Sequence, residues 1–269
     1  MGEGGALVAG TGEAVRVENP GGRGGYVLSC EHASNFVPSE FNGLGLPEEE
    51  LLRHIAWDPG ALAVARRMAA ALDAPLVEAC ISRLVIDCNR ALDAPDLVPP
   101  VSETTVIPGN QGLSPEERQA RISRCWQPFH ETLEAVLKER LAAGLETRLV
   151  SIHSFNPVFK GKHRPWHVGV IHDEDSRLAR PLISALRGVV GLTVGDNQPY
   201  SPADLVYFTL EEHARPRGLP CVMIEIRNDE LTQEAGQKKW AELLSALLSQ
   251  IRIEGEAAAY RPRAERDLG

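Results

Sequence analysis

The sequence predicts an α/β fold, a three-layer α/β/α sandwich around a mixed, mostly parallel sheet. Three observations point there. The candidate strands are short and apolar on both faces, as strands covered on two sides are. They alternate with segments of helical periodicity. The chain has 269 residues, 43% hydrophobic and 24% charged, which is ordinary for one globular domain around one large core.

Along the chain, residues 1–25 hold nine of the 24 glycines and few large apolar side chains. Burial cannot offset the ordering of such a segment, so it reads as a flexible arm. A single α/β domain is then expected over 26–254 and a polar tail over 255–269. Strands are expected at Tyr26–Cys30, Leu76–Ala79, Leu84–Asp87, Arg148–His153, His167–His172, Leu192–Val194 and Cys221–Ile226. Residues 60–72 place Leu62, Ala65, Met68, Ala69 and Leu72 on one helical stripe after Asp58-Pro59. Ser114-Pro115-Glu116-Glu117 is a capping box with proline at the first helical position, and it opens a long helix to about Ala143. Ser201-Pro202-Ala203-Asp204 opens another in the same way. The last helix, over 231–251, presents Trp240, Leu243, Leu244, Leu247 and Leu248 to the core.

Composition narrows the function. No run reaches the roughly eighteen apolar residues of a membrane span, and the start lacks the basic and apolar regions of a secretory signal. A cytoplasmic protein without a membrane partner is the expectation. The five cysteines are odd in number and lack CxxC spacing, which suits reduced core thiols. A net charge of -9 argues against a nucleic-acid partner, and an acidic substrate would need local arginines to draw it in. No GxSxG elbow or Walker A loop is present.

The most informative stretch is Ser82-Arg83-Leu84-Val85-Ile86-Asp87-Cys88-Asn89-Arg90. Arg83 and the Asn89-Arg90 pair flank a short apolar run, and a guanidinium with a neighbouring amide can grip a carboxylate. The same residues also fit arginines paired with Asp87 or Asp93. Two histidines, His32 and His153, fall where apolar strands end, the edge at which open α/β sheets bind ligands. Two histidines and one carboxylate make a catalytic zinc set with a fourth position for water. Alternation should turn Glu31 away from His32, so Asp58 is the preferred acid. Each histidine alone also fits a hydrogen-bonded core residue.

Glu225, inside the apolar run Cys221 to Ile226, is expensive to bury without a partner or a task. Burial would raise its pKa into the range of a general base, although an ion pair with Arg227 fits too. The segment Asp196 to Ser201, with Tyr200, reads as a loop of hydrogen-bond donors over the site or as a turn and cap. Around His163, Arg164, His167 and His172, nearby Lys160 and Lys162 argue for a basic loop facing an anion, not a second metal site. His54, His130 and His213 read as surface or packing residues of helical segments.

These motifs together resemble the N-formylglutamate amidohydrolase family, zinc-dependent hydrolases similar in fold to zinc carboxypeptidases and aspartoacylase-type deacylases. The likeness runs from about Val27 to about Leu231. It rests on Cys30-Glu31-His32-Ala33-Ser34-Asn35, Trp57-Asp58-Pro59-Gly60-Ala61, the Ser82 to Arg90 string, Trp126-Gln127-Pro128-Phe129-His130, Ile152-His153-Ser154-Phe155, Asp196 to Ser201 and Ile224-Glu225-Ile226-Arg227. The resemblance implies a zinc carboxypeptidase-like fold, with His32 and His153 as ligands of Zn2+ or another divalent metal and Glu225 as general base and acid. It further implies that Arg83 lies near the scissile carbonyl and that Asn89 and Arg90 take the substrate carboxylate. Arg227 or the Arg164 loop would meet a second carboxylate, and Tyr200 belongs to the substrate side. One departure stands out: the related enzymes carry His-x-x-Glu, whereas Asn35 occupies that place here. Asp58 is the inferred replacement. The implied partner is a small N-acyl amino acid, to be cleaved by an activated water. A carboxypeptidase-like zinc metallopeptidase or aspartoacylase-like deacylase and a non-catalytic carboxylate-binding module are the alternatives.

Overall fold

In a computed structural model of the chain, residues 12–253 are described. In chain order they form β1 Val15–Glu18, β2 Tyr26–Cys30, α1 Glu48–Leu51, α2 Ala61–Ala71, β3 Leu76–Ala79, β4 Val101–Ser102 and β5 Thr105–Val106. Then follow α3 Pro115–Arg121, α4 Gln127–Ala142, β6 Arg148–Phe155, β7 Val158–Phe159, β8 Lys162–His163, β9 Val168–Ile171 and α5 Ala179–Arg187. The last elements are β10 Val194–Asp196, α6 Phe208–His213, β11 Cys221–Arg227 and α7 Glu234–Gln250.

Among the described residues one sheet has seven strands in the order β1-β3-β2-β6-β11-β9-β10. The β3-β2, β2-β6, β6-β11 and β9-β10 pairs are parallel, while β1-β3 and β11-β9 are antiparallel. The sheet is therefore mixed and mostly parallel, with helices on both faces. Neighbouring residues of a strand point to opposite faces. Leu28, Val150 and Ile224 accordingly join the core with α2, α5 and α7, while Val27, Leu149 and Met223 join Phe129, Leu133 and Leu137 of α4. A third buried cluster gathers Leu44, Ile81, Leu84, Val85, Ile86, Leu97 and Ile107 under the loops at one end.

Four expectations change. Leu84–Asp87 is a turn, not a strand: Ser82 Oγ accepts the Leu84 N–H at 3.2 Å and the Ser82 carbonyl accepts that of Val85 at 2.9 Å. The apolar run is buried because the turn rests on its own core. The expected arm 1–25 contains β1, whose alternating Val-Arg-Val pairs with β3, so the sheet begins before Tyr26. Residues 1–11 of the arm and the expected tail 255–269 lie outside the described residues. After Ser201 the cap forms, with Asp204 accepting from Ser201 N and Oγ, but the turn ends at Leu205, whose φ is 58°, and α6 starts only at Phe208. The helix opened by Ser114 carries a π-helical turn, Ile122–Trp126, between α3 and α4.

Candidate active site

The parallel strands β3, β2, β6 and β11 end on one side of the sheet, and the chemistry-bearing residues gather there. His32 follows β2, Asp58 precedes α2, and His153 sits near the end of β6. Gly60, at a φ of 81°, turns the chain from Asp58 into α2 where a Cβ would lie 2.4 Å from the Leu231 Cβ. Asp58 Oδ2 lies 2.8 Å from His153 Nδ1 and 3.3 Å from His32 Nδ1. Both imidazoles are held from behind by carboxylates: His32 Nε2 is 2.7 Å from Asp87 Oδ1, and His153 Nε2 is 2.9 Å from Glu31 Oε2. Glu31 also accepts from the Ser29 and Ser151 hydroxyls, each at 2.7 Å.

The donor set fits a divalent cation. One atom from each of His32, Asp58 and His153 lies within 4.8 Å of the others, all three are buried, and the buried Asp58 Oδ1 makes no hydrogen bond. Carboxylates behind both Nε2 atoms fix the tautomer that turns the Nδ1 lone pairs towards a metal. Burial works against ionised carboxylates here, yet the imidazoles win. His153 and the two serines bring Glu31 down to about 2, while His32 and His153 hold Asp58 well below the usual range. Burial likewise opposes a charged His153, but Asp58 and Glu31 raise its pKa well above the usual value, so the surroundings favour positive charge.

Glu225 is the register neighbour of His153 on β11. It is 5% exposed, and its Oε2 is buried with no hydrogen-bond partner. Burial pushes its pKa up to about 8, against the pull of His153.

A cavity of about 340 Å³ opens beside this cluster, with His32, Asp58, Arg83, Asn89, Arg90 and Tyr200 among its lining. Arg83 donates to Asp87 Oδ2 at 2.8 Å and lies 3.5 Å from Asp58 Oδ1. Arg90 donates through Nε to Asp96 at 2.8 Å and through Nη1 to the Asn89 carbonyl at 3.0 Å. The Asn89 side chain faces the start of α6, donating to the Val206 carbonyl at 2.5 Å and accepting from Thr209 N at 3.0 Å. Arg227 sits apart from the cavity lining, paired with Asp229 at 2.7 Å.

One residue of the site goes unrecognised in the sequence, and another, weighed there as a ligand, takes a different place. His54 belongs to the cavity wall, with Nδ1 3.4 Å from Asp58 Oδ1, and its place four residues before Asp58 is the available signal. Glu31, which alternation turns away from His32, stands behind His153 instead. His130 and His213 are buried packing residues bonded to each other at 2.8 Å, and His172 bonds Asp196 at 3.0 Å.

A mixed parallel sheet carrying a His-Asp-His cluster and a buried carboxyl at its strand ends defines a hydrolase-type site. The N-formylglutamate amidohydrolase family model matches residues 24–232, and the chain belongs to that family, whose substrates are small molecules. The chain is 46% identical to a gene product of Agrobacterium tumefaciens of known crystal structure, with a TM-score of 0.87 over 89% of this chain and 94% of that one. It also shares its fold with the N-formylglutamate amidohydrolase of Ralstonia eutropha JMP134, at 21% identity and a TM-score of 0.63 over 87% of this chain and 95% of that one. Among curated proteins no relative matches. No helix of the described residues is long and apolar enough to cross a membrane.

Proposed function

We propose that the protein is a metal-dependent amidohydrolase that removes the N-acyl group, N-formyl first of all, from an amino acid such as N-formylglutamate. One observation carries this reading: Glu225, with an unpartnered buried oxygen and a pKa near 8, stands beside His153 of a three-residue cluster suited to a cation. A divalent ion held by His32, Asp58 and His153, Zn2+ in the first instance, would supply Lewis acidity and bring the pKa of a water from about 15.7 to about 7.

The chain's own groups do the rest. Glu225 takes the proton of the attacking water and returns it to the leaving amine nitrogen, a role matched by a carboxyl that titrates near neutrality. Arg83 donates to the oxygen that gains charge as the acyl carbonyl becomes tetrahedral, a contribution of about 3–4 kcal/mol. Asp87 and Glu31 keep the imidazole Nε2 protons in place and prevent the rings from turning. The cavity volume is at the small end for ligand sites, which favours an amino-acid derivative over a peptide.

The test is metal analysis of the purified protein followed by incubation with N-formyl-L-glutamate, N-acetyl-L-glutamate and short peptides. About one divalent ion per chain and release of formate are expected. Metal-loaded protein that releases neither formate nor acetate would overturn the reading.

A further inference from the structure

We propose that Arg164 and the Tyr200 hydroxyl form the receptor for a carboxylate of the substrate, in place of the Asn89-Arg90 pair that the sequence pattern suggests. This rests on the amidohydrolase reading and names the half of the substrate that reading leaves open.

Most polar groups that could meet a carboxylate are already paired. Arg83 holds Asp87, Arg90 holds Asp96, and both ends of the Asn89 amide are engaged at the start of α6. A substrate carboxylate reaching Arg83 or Arg90 would share that cation with Asp87 or Asp96, and one reaching Asn89 must displace an existing partner. Arg164 differs. It is 8% exposed, and its one hydrogen bond runs from Nη1 to the Tyr200 hydroxyl at 3.0 Å. The guanidinium lies 4.5 Å from the Phe159 ring centre, 4.6 Å from that of Tyr200 and 5.8 Å from that of Phe155. Among the described residues no carboxylate pairs with it, and no acceptor meets its Nε or Nη2.

A guanidinium that deep without a counter-ion is costly. Aromatic rings offset part of that cost through their faces. They leave the donor edge unmet, and a carboxylate matches that edge with two parallel hydrogen bonds. The pocket is adjacent to the reacting groups: Phe159 and Tyr200 line the cavity, and the charge of Arg164 lowers the proton affinity of both Glu225 and His54. Both arms are fixed. Arg164 N donates to the Pro157 carbonyl at 2.8 Å across the β7-β8 hairpin, and the loop bearing Tyr200 lies on Gly169 and Gly195, where a Cβ would come within 2.0 and 2.4 Å of the Gln198 oxygen.

The ligand class that follows is an N-acyl amino acid with a free carboxylate. The test is calorimetric binding to Glu225→Gln protein, which should bind without turnover, alone and combined with Arg164→Gln. The ligands are N-formyl-L-glutamate, its α-amide, and N-formyl-L-glutamine. Arg164→Gln is expected to weaken N-formyl-L-glutamate by about 30-fold or more. One of the two amides should bind the Glu225→Gln protein equally weakly and lose nothing further in the double variant, and which amide does so identifies the carboxylate. Binding of N-formyl-L-glutamate within about twofold in the two proteins, or amide losses that persist in full beside Arg164→Gln, would overturn the proposal. Should Arg164→Gln fail to fold, Tyr200→Phe takes its place in the same cycle, with coupling to one amide expected and its absence overturning. Because binding is read and not turnover, a protein that binds these acids through Arg164 yet hydrolyses none of them sinks only the hydrolase reading.

Discussion

Asp87 joins His32 to Arg83: its Oδ1 lies 2.7 Å from His32 Nε2 while its Oδ2 takes the Arg83 guanidinium at 2.8 Å. One carboxylate therefore sets both the ring that would bind the metal and the cation that would meet the oxyanion. Removing its charge should loosen both. Asp87→Asn is expected to lower metal affinity about 10- to 100-fold, measured by competition with a chromophoric chelator. Unchanged affinity would show that the ring is held without it.

Glu225→Gln keeps the shape of the site and removes its proton acceptor. On the amidohydrolase reading kcat falls about 10²- to 10⁴-fold while the bound metal stays at the parental level. Steady-state turnover beside elemental analysis checks both halves. Loss of metal together with activity would instead make Glu225 a structural member of the cluster.

The turn from Ser82 to Arg90 is held from outside by the helix break. Arg121, 3% exposed, donates to the carbonyls of Val85 at 2.9 Å and Gly109 at 2.7 Å and to Asn110 Oδ1 at 2.7 Å. Trp126, at the end of the π-turn, donates to the Arg90 carbonyl at 2.9 Å. Arg121→Met fills the space and leaves those acceptors without a donor, so a loss of about 3 kcal/mol is expected in denaturant unfolding. A loss below about 1 kcal/mol would mean that water replaces the guanidinium.

Acid stability should report the buried imidazole pair. His130 Nε2 donates to the Cys88 carbonyl at 2.9 Å, so its Nδ1 accepts from His213 Nε2 at 2.8 Å and both rings are neutral. Burial lowers their pKa values to about 3 and about 4. The unfolded chain takes up these protons first, below a pH of about 6.5, so the contribution of this pair to stability rises with pH between about 4 and 6.5 and is flat above. Each histidine contributes a slope of about 1.4 kcal/mol per pH unit. His213→Gln should flatten this acid limb in pH-dependent unfolding, and an unchanged limb would refute the assignment.

The core strands and the polar residues that gather in the candidate site are legible in the sequence for a local reason: strands buried on both faces leave uninterrupted apolar runs, and polar residues at their ends stand out against them. What stays concealed depends on distant contacts. Leu84-Val85-Ile86 has the same apolar signature as β9, and besides the local bonds to Ser82 it is Arg121 and Asn110, which take its carbonyls, that distinguish turn from strand. The glycines around β1 mask it, although its alternation is there to see. Asn89 and Arg90 look like a carboxylate clamp because Val206, Thr209 and Asp96 lie far along the chain or across a turn, and spacing says nothing of partners already in place.

Gly169 and Gly195 give the site a point of control in its foundation. A methyl group at Gly169 would come within 2.0 Å of the Gln198 carbonyl, so the loop must lift and carry Tyr200 with it. On the Arg164-Tyr200 proposal, one carbon added beneath the cavity would thus reach the carboxylate receptor through a residue that never meets ligand, leaving His32, Asp58, His153 and Glu225 in their places.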